Sequence, residues 1–317
     1  MHGATMCKRR KSMRKLYKKL TATVLAATMI LSLPVTGMTA YADAVTEADA
    51  NDVYVSFGAD LNDNERATVI GLMGITEEDL EEYTVGEITN EDEHKYLGSY
   101  LDASVIGSRA LSSVIVVVGE DGDGIDVETH NISYCTPGMY TNALITAGIE
   151  NADVIVAGPF EITGTAALVG AMKAYAELTG EEISAESMDT AVNELVVTSQ
   201  MADDAEGMDA EKVEDLIALV KAKVVEEGLD DEESIREVIE EGSNELGITL
   251  SEEEVDTIIS LMKKISELDL DFDSMKEQAG EMLDKLEELG VDKEEAKNFF
   301  QKIIDAITEF FESLFDE

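Results

Sequence analysis

Cysteine, histidine and positive charge are all scarce in this chain of 317 residues. Of its two cysteines, Cys7 precedes an apolar N-terminal run and only Cys135 stands in the body of the chain. No intramolecular disulfide can form once the leader described below is removed, so stability must come from a buried core. His94 and His130 are the histidines beyond that leader, one in a polar helical stretch and one at a strand end, which argues against a His-rich metal centre. There is no Gly-rich phosphate loop closed by lysine, no G-x-S-x-G elbow and no paired-histidine zinc motif. Ser260 and Lys263 match S-x-x-K, but on an amphipathic helix and without the companion motifs of a serine acyltransferase. Asp269, Asp271 and Asp273 open like an EF-hand loop; Ser274 at the sixth position and Gly280 at the twelfth reject it.

What is present begins with an export signal. Eight basic residues between Lys8 and Lys19, an apolar run from Leu20 to Val35 and the small-residue site Ala40-Tyr41-Ala42 read as a cleaved signal peptide over residues 1–42. The apolar run is interrupted by threonines, a serine and Pro34, and is shorter than the roughly 20 residues a membrane span needs. Cleavage leaves 15 basic residues against 69 acidic ones, a net charge of −54 for a chain starting at Asp43. Such a field repels nucleic acid and anionic membranes and favours cationic partners. The expected localisation is extracellular or in the cell envelope.

The remaining length suits two domains. Up to Gln200 strand and helix signals alternate; the acidic stretch 201–207 reads as a linker, and everything from Met208 to Glu317 reads helical. The fold class expected is α+β or α/β: a mixed-sheet domain over 43–200 with packed helices, then an all-helical domain over 208–317. Strands are expected at Val53–Phe57, Tyr83–Ile88, Ser112–Val118, Ile125–Ile132 and Val154–Ala157. The turn 120–124 between the third and fourth reads as a hairpin connection. Asn62 or Asn64, Asn90, Thr136 before Pro137, and Ser251 with Glu254 are expected helix N-caps. Gly148, Gly180 and Gly228 close helices. The last helix carries a phenylalanine stripe from Phe299 to Phe315, read as packing surface.

Three groups of residues invite a chemical reading. Cys135 could be a thiol nucleophile with His130 nearby in sequence, although a small apolar cysteine at a strand-to-helix junction is the commoner situation. Gly158, Thr163, Gly164 and Thr165 lie in a stretch expected to follow a strand, stopped by Gly158-Pro159, and to open a helix, where backbone N–H groups can hold an anion; helix capping alone is the favoured account, because no basic residue accompanies the loop. Asp121, Asp123 and Asp126 could surround a cation, though Asp-Gly pairs there are explained by the positive φ angles of tight turns.

Four phrases occur in order: SFGADL from Ser56, TPGMYTNALITAGI from Thr136, AGPFEITGTAAL from Ala157 and SELDLDFD from Ser266. In these the chain resembles the uncharacterised secreted Firmicute family known as domain of unknown function 1002. The likeness covers nearly all of the chain beyond the leader, with Gly158 a departure where alanine is expected. It implies a secreted protein with an α/β part and a helical part, and brings no activity, cofactor or catalytic residue. The reading drawn from residues and resemblance together is a non-enzymatic binding module with a protein or cell-wall partner and no cofactor. The alternative is a hydrolase-like enzyme with a site around 158–165 and Cys135.

Overall fold

A computed structural model describes residues 48, 50–120, 123–204, 210–268 and 270, all within one compact unit. The leader and the C-terminal phenylalanine stripe lie outside the described residues.

Five strands form one mixed sheet: β1 (Val53–Gly58), β2 (Thr84–Ile88), β3 (Ser113–Val118), β4 (Ile125–Ile132) and β5 (Ala152–Ile162), in spatial order β2-β1-β3-β5-β4. The outer pairs β1–β2 and β4–β5 are parallel, while β3 runs antiparallel to both β1 and β5. The hairpin expected between β3 and β4 is not formed, because β5 lies between them. The reason is hydrophobic: β3 is buried on both faces and so needs a neighbour of the same kind on each side, and the apolar run of β5 supplies it. β4 alternates polar and apolar residues and serves as an edge.

Nine helices accompany the sheet among the described residues: α1 (Asp63–Leu72), α2 (Asn90–Leu97), α3 (Ala103–Ile106), α4 (Pro137–Thr146), α5 (Thr165–Thr179), α6 (Ala185–Asp204), α7 (Ala210–Glu227), α8 (Glu232–Leu246) and α9 (Glu252–Ser266). Most starts match their caps. Asn62 with Glu65 and Ser251 with Glu254 form capping boxes, and the Thr136 hydroxyl accepts the Met139 N–H at 3.2 Å. The α2 cap is Thr89, paired with Asp92, and not Asn90, which sits in the first turn.

Alternate side chains of the central strands feed two cores. Val114, Val116, Val154 and Val156 pack with α4, α5 and α6, while Val55, Phe57, Ile115 and Ile155 pack with Val69, Ile70 and Met73 on and after α1. Helix α5 comes close to the sheet at Gly170, where a Cβ would stand 3.1 Å from both Ser56 Oγ and Val114 Cγ1. A third core joins Leu216, Ile217 and Val220 of α7 to Ile239 of α8 and Met262 of α9. Val197 and Met201 of α6 belong to that core as well. Helix α6 continues through Met201 to Asp204, so the first part of the stretch expected as a linker is helical, and residues 205–209 lie outside the described residues.

Candidate functional site

The end of β4, the start of α4, the end of β5 and the start of α5 meet, and this junction holds most of the residues singled out from sequence. Ser133 N donates to Ile162 O at 2.9 Å and Cys135 N to Thr163 O at 3.3 Å, while the Tyr140 hydroxyl donates to Gly164 O at 2.6 Å. Cys135 and the 163–165 turn are thus brought together. The surroundings of the thiol are closed, however. Cys135 is buried, and burial pushes its pKa up to about 12, outweighing the Tyr140 and Ser199 contacts that favour the thiolate. A thiol so held is overwhelmingly protonated at neutral pH. The side chains at the thiol are Tyr140 and Ser199, while His130 Nε2 lies 3.2 Å from Glu128 Oε1. Native protein at pH 8 is therefore expected to leave Cys135 unmodified by a charged thiol reagent, with stoichiometric labelling only after unfolding; rapid native labelling would show an accessible thiolate.

The 158–165 stretch differs from its expected form. Gly158 and Pro159 do not end β5, which continues to Ile162, and the strand-to-helix turn is only Thr163 and Gly164. Proline is tolerated because β3 last pairs at Ala157, so no ladder donor is required of residue 159. Gly164 takes a left-handed conformation at φ 90°, with Ile132 and the Tyr140 hydroxyl filling the space where a side chain would stand. Neither Thr163 nor Thr165 caps α5; instead Ser112 Oγ accepts the Ala167 N–H at 3.1 Å. Thr165 Oγ1 is buried and has no hydrogen-bond partner among the described residues.

At the β3–β4 turn, Asp123 accepts the Glu120 N–H at 2.8 Å, and Asn151 Oδ1 accepts the N–H groups of Asp123 and Gly124. Gly124 carries the positive φ that the turn chemistry anticipates. Asp126 lies opposite Asp153 on β5, and burial followed by repulsion from Asp126 and Asp123 raises the Asp153 pKa. Asp121 lies outside the described residues.

Sequence reasoning missed a fully buried polar group among the described residues. Lys221 on α7 and Glu194 on α6 are fully buried, 2.9 Å apart. Lys221 Nζ also donates to Asn142 O at 2.8 Å and to Thr146 Oγ1 at 3.1 Å, and the Thr146 hydroxyl donates to Glu194. Next to it, the Thr136 hydroxyl donates to Glu214 Oε1 at 2.5 Å and Asn142 Nδ2 to Glu214 O at 3.1 Å. Desolvation lowers the Lys221 pKa, opposed by the Glu194 charge. The signal was available: Lys221 stands four residues after Ile217, inside the apolar stripe of α7, and Glu194 lies between Val192 and Leu195 in that of α6. Fully buried, the group binds α4, α6 and α7 to one another.

Residues 57–282 match the family model described as "Protein of unknown function (DUF1002)". The chain is 35% identical over 292 residues to "Uncharacterized protein YpuA" of Bacillus subtilis strain 168, covering 92% of this chain and 94% of that protein. No solved structure matches.

Proposed function

Since the chain belongs to the DUF1002 family of proteins of unknown function, we propose its role from its own chemistry: an exported acidic protein that works by binding a basic partner in the cell envelope. The observation that carries this reading is how the charges are disposed. Among the described residues seven of the ten lysines and arginines are paired with carboxylates of the chain itself. Most of the 69 acidic residues then have no cation of the chain to neutralise them, so the outward field is negative. No helix of the described residues is long and apolar enough to cross a membrane. The closed setting of Cys135 speaks for packing over nucleophilic attack.

One fractionation tests both parts. Protein recovered from culture supernatant and from the envelope should begin at Asp43, and envelope-bound protein should be released on raising salt from about 0.05 to 0.5 M, as screening shortens the Debye length. An intact N-terminus in the membrane fraction would overturn export, and salt-independent retention would overturn the charge-driven partner.

A further inference from the structure

We propose that the Pro159–Phe160 bulge at the β4 edge of the sheet is a docking point for an extended, basic segment of another protein. The inference rests on the proposed binding of a basic partner and assigns that binding a place. Between the pairs His130↔Ala157 and Ile132↔Ile162, β4 contributes Asn131 alone while β5 contributes Gly158, Pro159, Phe160 and Glu161. Such a bulge breaks the ladder and re-aims side chains. Its effect here is to present Phe160, which at 48% is the most exposed large hydrophobic side chain among the described residues.

The bulge is built at a conformational cost. Asn131 has φ 57°, the one positive φ outside glycine among the described residues, and its Nδ2 donates to Gly158 O at 3.0 Å. Gly158 has no room for a side chain, since a Cβ would lie 2.8 Å from Asn131 O and 2.7 Å from Phe160 O. A left-handed asparagine, a glycine hemmed in by its neighbours and an outward phenylalanine on one stretch of chain are more than a scattered surface hydrophobe needs.

The geometry also selects the occupant. β4 is the last strand in the order, pairing only with β5 among the described residues, so its outer rim can accept an added strand by backbone hydrogen bonds. Along it Asp126, Glu128 and His130 project at the two-residue spacing of one face, Glu128 Oε1 lying 3.2 Å from His130 Nε2, and Glu161 is exposed beside Phe160. An extended segment with basic residues at alternate positions and one apolar side chain meets those carboxylates and Phe160 together. A second copy of this chain is a poor occupant, because, starting at Asp43, it brings a net charge of −54 to an acidic rim.

The test is selection from a displayed library of random 12-residue peptides on the purified protein, with binding of enriched peptides then measured to wild type and to Phe160→Ala. Phe160 is exposed, so the variant should keep its thermal midpoint. Peptides alternating lysine or arginine with apolar residues, weakened about tenfold or more by Phe160→Ala and by Glu128→Lys with Glu161→Lys, are the expected result. Basic peptides that bind Phe160→Ala equally well would overturn this place of docking while leaving a basic partner intact. Enriched peptides without basic residues, or none at all, would overturn both. Sedimentation of the protein alone covers the remaining occupant: Phe160-dependent self-association would assign the rim to a second copy and sink the proposal.

Discussion

Replacing Lys221 by methionine is expected to destabilise the protein by about 3–5 kcal/mol, the usual cost of stranding one member of a buried ion pair. The side chain is fully buried, as is its partner, and the substitution leaves the Glu194 carboxylate in a medium that cannot solvate it. Methionine fills a similar volume, so lost packing is a minor part of the effect. The double variant Lys221→Met with Glu194→Leu should recover most of the loss, because the stranded charge is then gone. Its leftover polar groups can satisfy each other: Thr146 lies four residues after Asn142 on α4, so its freed hydroxyl can donate to Asn142 O, which Lys221 had occupied. Urea unfolding of wild type, the two single variants and the double variant closes the cycle. A double variant no more stable than Lys221→Met would show that the polar group specifies the packing of α7 on α4 and α6 through more than mutual neutralisation.

That network also marks where reading the sequence stops. The caps, closing glycines and strand positions were legible because each depends on a few neighbouring residues: Thr136 before Pro137, Gly148 and Gly180 in left-handed conformation, Ser251 with Glu254. The mixed sheet with packed helices was legible at the level of class. Strand order was not, since nothing local in Ile125–Ile132 says that β5 takes the place beside β3. The hairpin expectation failed for that reason, its turn being correct and its pairing wrong. Gly158-Pro159 failed in a related way. Both residues break strands in isolation, yet a proline is harmless where the neighbouring strand has ended, and that ending is a tertiary fact.

The candidate site was legible as a meeting place and not as chemistry. Cys135 and the Thr163–Thr165 turn do adjoin, as strand-to-helix junctions at neighbouring strand ends must in a parallel pair such as β4 and β5. What the chain order could not carry is burial, which decides whether the thiol is a nucleophile or a core atom. The charge reading needed no structure for its sign, but needed it to show that seven of the ten described lysines and arginines pair with carboxylates of the chain.

Glu93→Gln is expected to stabilise the protein above neutrality by about 3 kcal/mol and to leave it nearly unchanged near pH 4.5. Glu93, on α2, is 3% exposed, and burial pushes its pKa up to about 7, helped by the nearby Asp60 charge and opposed by the hydrogen bond from Asn90. In the unfolded chain the same carboxyl ionises near 4.5. Between those values the folded protein holds a proton that the unfolded chain has released, so stability falls as pH rises from about 4.5 to about 7 and stays lower above it. At about 1.4 kcal/mol for each tenfold change in proton affinity, the gap corresponds to ~3 kcal/mol. Glutamine keeps an acceptor for Asn90 Nδ2, which lies 3.1 Å from Glu93 Oε2, and cannot ionise. Repulsion among the other carboxylates lowers stability over the same range in both proteins, so the quantity to plot is the difference between their urea midpoints against pH. A difference that grows through pH 5–7 and then levels is the expected curve; a flat one would mean that Glu93 ionises at its ordinary value because water reaches it.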